Sequence, residues 1–168
     1  MRAPFLLEAL GAAHNRDSFS CGRVELDRYL RTQATQDIRR KVAVCFVAVE
    51  AETGQLAGFY TIAAASIPFV DLPTEITKRL PRYPALPAVR IGRLAVDERF
   101  RGRGLAGALL ADALRRVLLA PPAVYALVVD AKDDEAVAFY RHHGFESFIS
   151  QPRSLLLPVE TAAKILKW

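Results

Sequence analysis

The run Arg101-Gly102-Arg103-Gly104-Leu105-Ala106-Gly107 constrains this chain more than any other segment. It follows an apolar stretch, Ile91-Gly92-Arg93-Leu94-Ala95-Val96. It leads into Leu105, Leu109, Leu110, Ala113, Leu114, Val117 and Leu118, which recur at helical spacing. A strand, a glycine-rich turn and an amphipathic helix therefore meet within a few residues. The start of such a helix presents unpaired backbone N–H groups and the positive end of its dipole, both suited to a pyrophosphate. Glycine lets the backbone approach an anion closely, and Arg101 and Arg103 add positive charge. No Gly-Lys-Ser/Thr follows, which sets a Walker A loop aside. The acidic ribose contact of a dinucleotide-binding turn has no clear counterpart. A tight turn ahead of a core helix is the plain structural alternative.

A second segment lies about 30 residues downstream. Val128-Val129-Asp130 closes an apolar strand, Asp133-Asp134-Glu135 makes an acidic helix start, and Gly144 stops the short helix that follows. Together the two segments resemble the GCN5-related N-acetyltransferase (GNAT) family. Arg101-x-x-Gly104-x-Ala106 is similar to its acetyl-CoA pyrophosphate motif, and Ala136-x-x-Phe139-Tyr140-x-x-x-Gly144-Phe145 to its second signature. The resemblance implies an α/β fold with a mixed, mostly antiparallel sheet, splayed at the middle strand and flanked by helices. It implies one acetyltransferase domain over residues 1–168, with acetyl-CoA as cosubstrate and no metal.

Length and composition agree with one compact domain: 168 residues, 52% hydrophobic. No apolar stretch approaches bilayer-spanning length, and Glu8 interrupts the N-terminus too early for a signal peptide. Cys21 and Cys45 are too few and too isolated for a zinc site or a disulfide framework, so a reducing cytoplasm is the expected compartment. Cys45, in an apolar strand, reads as packing.

The net charge of +5 is unevenly placed. From Lys78 to Arg103 eight cations (Lys78, Arg79, Arg82, Arg90, Arg93, Arg99, Arg101, Arg103) face two anions, Asp97 and Glu98. Acetyl-CoA accounts for part of this. The excess points to a second polyanion such as RNA, with an ordinary solvated surface as the alternative.

Along the chain, residues 4–10 read as a first strand, and Val24 to about Thr35 as an amphipathic helix with Leu26, Tyr29 and Leu30 on one side. Val42–Glu50 and Gln55–Ala65 read as strands around a Thr53-Gly54 turn. The proline-rich residues 66–88 read as an insertion or loop, with a short helix over Thr74–Leu80. Val89–Val96 is the central strand, Gly104–Leu119 the main helix and Val124–Asp130 a further strand. Glu146–Ile149 and Ser154–Leu157 form a closing pair, and Val159–Trp168 a terminal helix.

Other stretches narrow the resemblance. Phe19-Ser20-Cys21-Gly22 with Leu26-Asp27-Arg28-Tyr29-Leu30 is similar to the N-terminal signature of GNAT toxins of bacterial type II toxin–antitoxin systems. Ala57-Gly58-Phe59-Tyr60-Thr61-Ile62, Pro81-Arg82-Tyr83-Pro84 and Gly92-Arg93-Leu94-Ala95-Val96-Asp97 fit the same group, so the resemblance covers residues 19–157. It implies acetylation of the α-amino group of aminoacyl-tRNA, a block of translation, neutralisation by a ribbon-helix-helix antitoxin, and a homodimer.

The same resemblance assigns roles. Leu94, Ala95 and Val96 would pair with the pantetheine arm, with the Val96 N–H as oxyanion donor. Arg101, Gly102, Arg103, Gly104, Leu105, Ala106 and Gly107 would hold the pyrophosphate, and Phe139 would line the coenzyme site. Tyr140 would protonate the leaving sulfur. A phenol titrates near 10 and stays protonated at neutral pH; a core aromatic is the structural alternative. No general base stands out among Glu25, Glu135 and His142. An α-amino group titrates near 7.7–8.0 and lower beside an ester, so a base is not required. Many GNAT enzymes carry Asn where Asp133 stands. An ionised carboxylate cannot donate, so Asp133 reads as a helix cap. Arg31, Arg39, Arg40, Arg82, Arg90 and Arg93 are candidate tRNA contacts, since a guanidinium fork suits phosphate. Two alternatives stay open: a GNAT enzyme acting on a small-molecule or protein amine, and a catalytically silent module that only binds acetyl-CoA.

Overall fold

The computed structural model describes residues 3–167, and the chain divides into two compact units. The first takes in the chain up to Ala63 together with Gly92–Ala113. The second takes in Ala64–Ile91 together with the chain from Leu114 on.

In the first unit β1 (Phe5–Ala9) is followed by a helical run: α1 (Val24–Arg28), one π-helical turn (Tyr29–Gln33) and α2 (Ala34–Arg39). The helix read to about Thr35 thus continues to Arg39, with the Ala34 N–H reaching back five residues to the Tyr29 carbonyl. β2 (Val44–Glu50) pairs antiparallel with β1, Phe5 opposite Glu50. β3 (Leu56–Pro68) pairs antiparallel with β2, with a bulge between Ala48 and Val49. The helical run buries Tyr29, Leu30 and Ala34 against Phe19, Cys45, Val47, Leu56 and Phe59. Phe59 meets Phe19 edge-on at 5.6 Å and lies nearly parallel to Tyr29 at 6.3 Å, the geometries that ring quadrupoles favour.

β4 (Ala85–Val96) and β3 run through both units. A Cβ on Gly58 would lie 2.9 Å from the Ala95 carbonyl and 3.0 Å from Leu109 of α4 (Leu105–Leu119). Glycine is needed there for close approach, not for its φ.

In the second unit the proline-rich stretch is shorter than a 66–88 loop. β3 continues to Pro68 and β4 begins at Ala85, with only α3 (Thr74–Thr77) and a 3-10 turn between. Prolines argue against a central strand because they lack a donor. Here Pro68 ends its strand, and Pro87 contributes a carbonyl that accepts from the Tyr125 N–H at 2.9 Å. β5 (Ala126–Asp130) lies parallel to β4 from Ala88↔Ala126 to Ile91↔Val129, and the β4 continuation Gly92–Val96 lies outside that ladder. After α5 (Asp134–His142), β6 (Glu146–Ser147) pairs with β7 (Ser154–Pro158), itself antiparallel to β5; α6 (Val159–Ile165) follows. The strand order is β1-β2-β3-β4-β5-β7-β6 in one mixed, mostly antiparallel sheet. No helix among the described residues is long and apolar enough to cross a membrane.

Candidate active site

The end of β4 is clamped before the glycine turn begins. Asp97 is 1% exposed. It accepts from the Ser20 N–H at 3.0 Å, the Arg99 N–H at 2.9 Å and two guanidinium nitrogens of Arg99 at 3.0 Å, while its own N–H donates to the Ala57 carbonyl at 2.8 Å. Burial pushes the Asp97 carboxyl up, but the bonds from Arg99 and Ser20 outweigh it and hold the group below the usual carboxylate range.

Gly102 and Gly104 then take φ of +76° and +74°, which L-residues rarely adopt. A Cβ on either would meet no atom within 4 Å, so the turn presents an open backbone surface. The Ala108 N–H bonds back to the Gly104 carbonyl at 3.1 Å. The N–H groups of Leu105, Ala106 and Gly107 precede that bond and form the helix start. This main-chain arrangement fits the pyrophosphate of acetyl-CoA. Arg101 donates to the Cys21 carbonyl. Arg103 lies 3.8 Å from the Glu50 carboxylate, with its guanidinium 4.8 Å from the Phe5 ring centroid. Both arginines therefore brace the turn while keeping positive charge beside it.

Upstream on β4, Ala95 is buried and Leu94 and Val96 are half-buried. Arg93 is stacked on Tyr29, its guanidinium carbon 3.5 Å from the ring centroid. The Tyr29 hydroxyl donates to Asp37 at 2.8 Å, and the Gln33 amide donates to the same carboxylate at 3.0 Å. From the sequence Arg93 is expected only as a tRNA contact. The seat made by Tyr29 and Asp37 was missed, although both residues lie on the helix already read as amphipathic.

In the second unit α5 is capped as expected: Asp133 accepts from the Ala136 N–H at 2.8 Å. The helix stops at Gly144, φ +95°. Tyr140 is 9% exposed, with ring centroids 5.1 Å from Phe139 and 5.3 Å from Phe145. Burial pushes its phenol up to about 12, so it remains protonated at neutral pH. Burial and the neighbouring His142 lower the His143 value, which favours a neutral ring.

The candidate tRNA contacts are distributed over both units. In the first, Arg31 donates to the Phe19 carbonyl at 3.4 Å, and Arg39 and Arg40 are exposed at the end of α2. In the second, Arg82 is exposed and Arg90 pairs with Asp130. Glu25, Glu135 and His142 are all exposed. No cluster among the described residues has the makings of a metal site.

A strand, an open glycine turn and a helix start of this kind suit an acyl-CoA, and comparison with known proteins shows the family. The model of the acetyltransferase (GNAT) domain family matches residues 41–147. The tRNA-acetylating toxin of Mycobacterium tuberculosis (strain ATCC 25618 / H37Rv) is 36% identical over 151 residues, 89% of each chain. Among solved structures, a Tyr→Phe mutant of KacT is 25% identical with a TM-score of 0.89, covering 97% of this chain and 99% of that one. AtaT complexed with acetyl-methionyl-tRNAfMet is 27% identical with a TM-score of 0.88, covering 96% and 99%. This chain belongs to the GNAT acetyltransferase family, and it is an acetyl-CoA-dependent enzyme.

Proposed function

We propose that this protein acetylates the α-amino group of an aminoacyl residue carried on tRNA and so acts as a toxin that blocks translation. The observation that carries this is the 36% identity with a tRNA-acetylating toxin over 89% of both chains. The net charge of +5 and the exposed cations Arg39, Arg40 and Arg82 are consistent with a polyanionic substrate.

Acetyl-CoA supplies an activated acetyl thioester. The backbone of Gly102–Gly107 holds its pyrophosphate, with Arg101 and Arg103 adding charge, and Phe139 lines the site. Leu94, Ala95 and Val96 offer the strand edge to the pantetheine arm. The Val96 N–H donates to the oxygen of the acetyl carbonyl as charge develops there. The amine nitrogen forms the new bond to that carbon while the carbon–sulfur bond breaks. Tyr140 gives its proton to the departing sulfur and regains one from solvent, and the proton lost by the amine passes to water. A neutral amine is needed, and an α-amino group beside an ester is neutral in substantial part near pH 7.5, so no side-chain base is required. Arg31, Arg39, Arg40, Arg82, Arg90 and Arg93 contact the tRNA. The whole chain works as one acetyltransferase domain, as a homodimer in the cytoplasm, and a ribbon-helix-helix antitoxin neutralises it.

The test is incubation with labelled acetyl-CoA and total aminoacylated bacterial tRNA beside a deacylated control. Label in acetyl-aminoacyl-adenosine after nuclease digestion, present only with charged tRNA, supports the reading. Label on a small amine or protein, and none on charged tRNA, overturns it.

A further inference from the structure

Between β3 and β4 the chain forms a hairpin with an apolar inner side, while Val70, 83% exposed, stands outward with the polar residues. Phe69, Ile76 and Leu80 turn inward and pack against buried Ile67, Leu72 and Leu86. The base is closed by the Phe69 N–H donating to the Pro84 carbonyl at 3.1 Å, and a helical turn is closed by Arg79 and Leu80 donating to the Ile76 and Thr77 carbonyls. Lys78, Arg79, Arg82 and Tyr83 all face solvent. Tyr83 is 54% exposed although large aromatics seldom are, and it stands between Pro81 and Pro84, whose fixed φ limits how far this tip can rearrange. Between Lys78 and Pro84 the sequence holds no anion, and the exposed Lys78 lies 3.5 Å from the exposed Glu75 carboxylate one turn earlier.

One aromatic ring exposed among cations at a proline-bounded tip has a physical use. An exposed ring stacks on an unpaired base, and the cations meet the flanking phosphates. Paired bases are already stacked on each other, so this chemistry selects single-stranded nucleic acid. Amines would not need it, and an apolar partner would not select for the cations.

We propose that this hairpin docks the unpaired 3′ end of an RNA, with Tyr83 stacked on a base and Lys78, Arg79 and Arg82 on the phosphates. This rests on the tRNA reading and assigns the aromatic contact for it. Tyr83 here is a binding residue, remote from bond making, so its loss raises KM and leaves kcat on charged tRNA near its original value.

The experiment compares the intact protein with Tyr83→Ala and Tyr83→Phe. Affinities are measured for a labelled RNA hairpin ending in unpaired CCA and for the same hairpin with a blunt end, and acetylation of charged tRNA is measured in parallel. Acetyl-CoA affinity serves as the check on folding. The expected result is preference for the unpaired end, a loss of about 5- to 100-fold in affinity and a matching rise in KM for Tyr83→Ala, and retention by Tyr83→Phe. Unchanged RNA affinity and KM in Tyr83→Ala overturn the inference while leaving the tRNA reading standing. A Tyr83-dependent preference without acetylation of charged tRNA supports the docking site and overturns that reading. No binding of either hairpin by the intact protein overturns the inference, and absence of acetylation of charged tRNA as well overturns both and leaves the patch to a protein partner.

Discussion

Arg93 sits over the Tyr29 ring, its guanidinium carbon 3.5 Å from the ring centroid, and Tyr29 in turn donates its hydroxyl to Asp37. The middle strand is thereby tied to the helical run α1–α2 by a cation on a ring and a ring on a carboxylate. Burial and the Asp37 bond push the Tyr29 phenol well up, while the hydrogen bonds from Gln33 and Tyr29 lower the Asp37 carboxyl. Tyr29 is therefore held neutral and Asp37 ionised at neutral pH, the states that favour the arrangement.

Arg93→Ala should destabilise the protein by about 1–2 kcal/mol, the range for a partly desolvated cation over a ring. Arg93→Lys should recover little, because an ammonium cannot stack as the planar fork does. Urea unfolding midpoints for Arg93→Ala, Tyr29→Leu and the double variant measure the coupling. Strictly additive losses would show that the stack contributes nothing.

Asp97 should set part of the acid limit. Its folded pKa lies below the unfolded carboxylate value near 3.9, so its contribution is fully present above that value and is lost as pH falls below it. Asp97→Asn removes this pH dependence and weakens the bonds from Arg99 and Ser20, at a cost of about 1–2 kcal/mol at pH 7, since the Arg99 guanidinium left behind is 43% exposed. Thermal unfolding from pH 3 to 7 should show a steep acid limb in the intact protein and a flatter one in Asp97→Asn. Parallel curves would exclude Asp97 as its source.

Gly54 and Gly104 form a matched pair: each has φ +74°, and a Cβ on either would meet nothing within 4 Å. Alanine at each should cost about 1–2 kcal/mol through the left-handed conformation alone. Gly54 lies in the β2–β3 turn, Gly104 at the start of α4. Calorimetric titration with acetyl-CoA should therefore show Gly104→Ala weakened about tenfold or more and Gly54→Ala unchanged. Equal affinities would remove the turn from the coenzyme site.

What the sequence made legible is what is local. The glycine turn, the Asp133 cap and the Gly144 stop are each specified within four residues, and each stands where it was expected. The partners of Arg101 and Arg103 are not local: Cys21 and Glu50 lie about 80 and 50 residues away in the chain, and only the closed fold selects them. Tyr29 and Asp37 fail for a subtler reason. Eight residues along a regular helix leave side chains about 80° apart. The π turn at Tyr29–Gln33 inserts an extra residue and brings the two onto one stripe. Nothing in residues 29–33 announces that turn. The length of β3 and β4 was masked by prolines that the strands tolerate at their ends.

Tyr140→Phe removes only the hydroxyl. Burial pushes this phenol up to about 12, which makes it a reluctant acid in solution but one that is fully protonated wherever the amine is reactive. Its ring packs on Phe139 and Phe145, and phenylalanine preserves both contacts. Stability should therefore change by less than about 1 kcal/mol, whereas kcat should fall about 100-fold or more, the worth of a positioned proton donor. The pH profile separates the acid from the amine. In the intact enzyme kcat/KM should rise as the amine loses its proton, through about pH 7–8, and stay level to pH 10, since Tyr140 does not ionise in that window. The Tyr140→Phe variant should show the same rise at a lower level. A profile in the intact enzyme that falls between pH 8 and 10 would mean that another, more acidic group supplies the proton. Undiminished kcat in Tyr140→Phe would reduce this residue to a core aromatic.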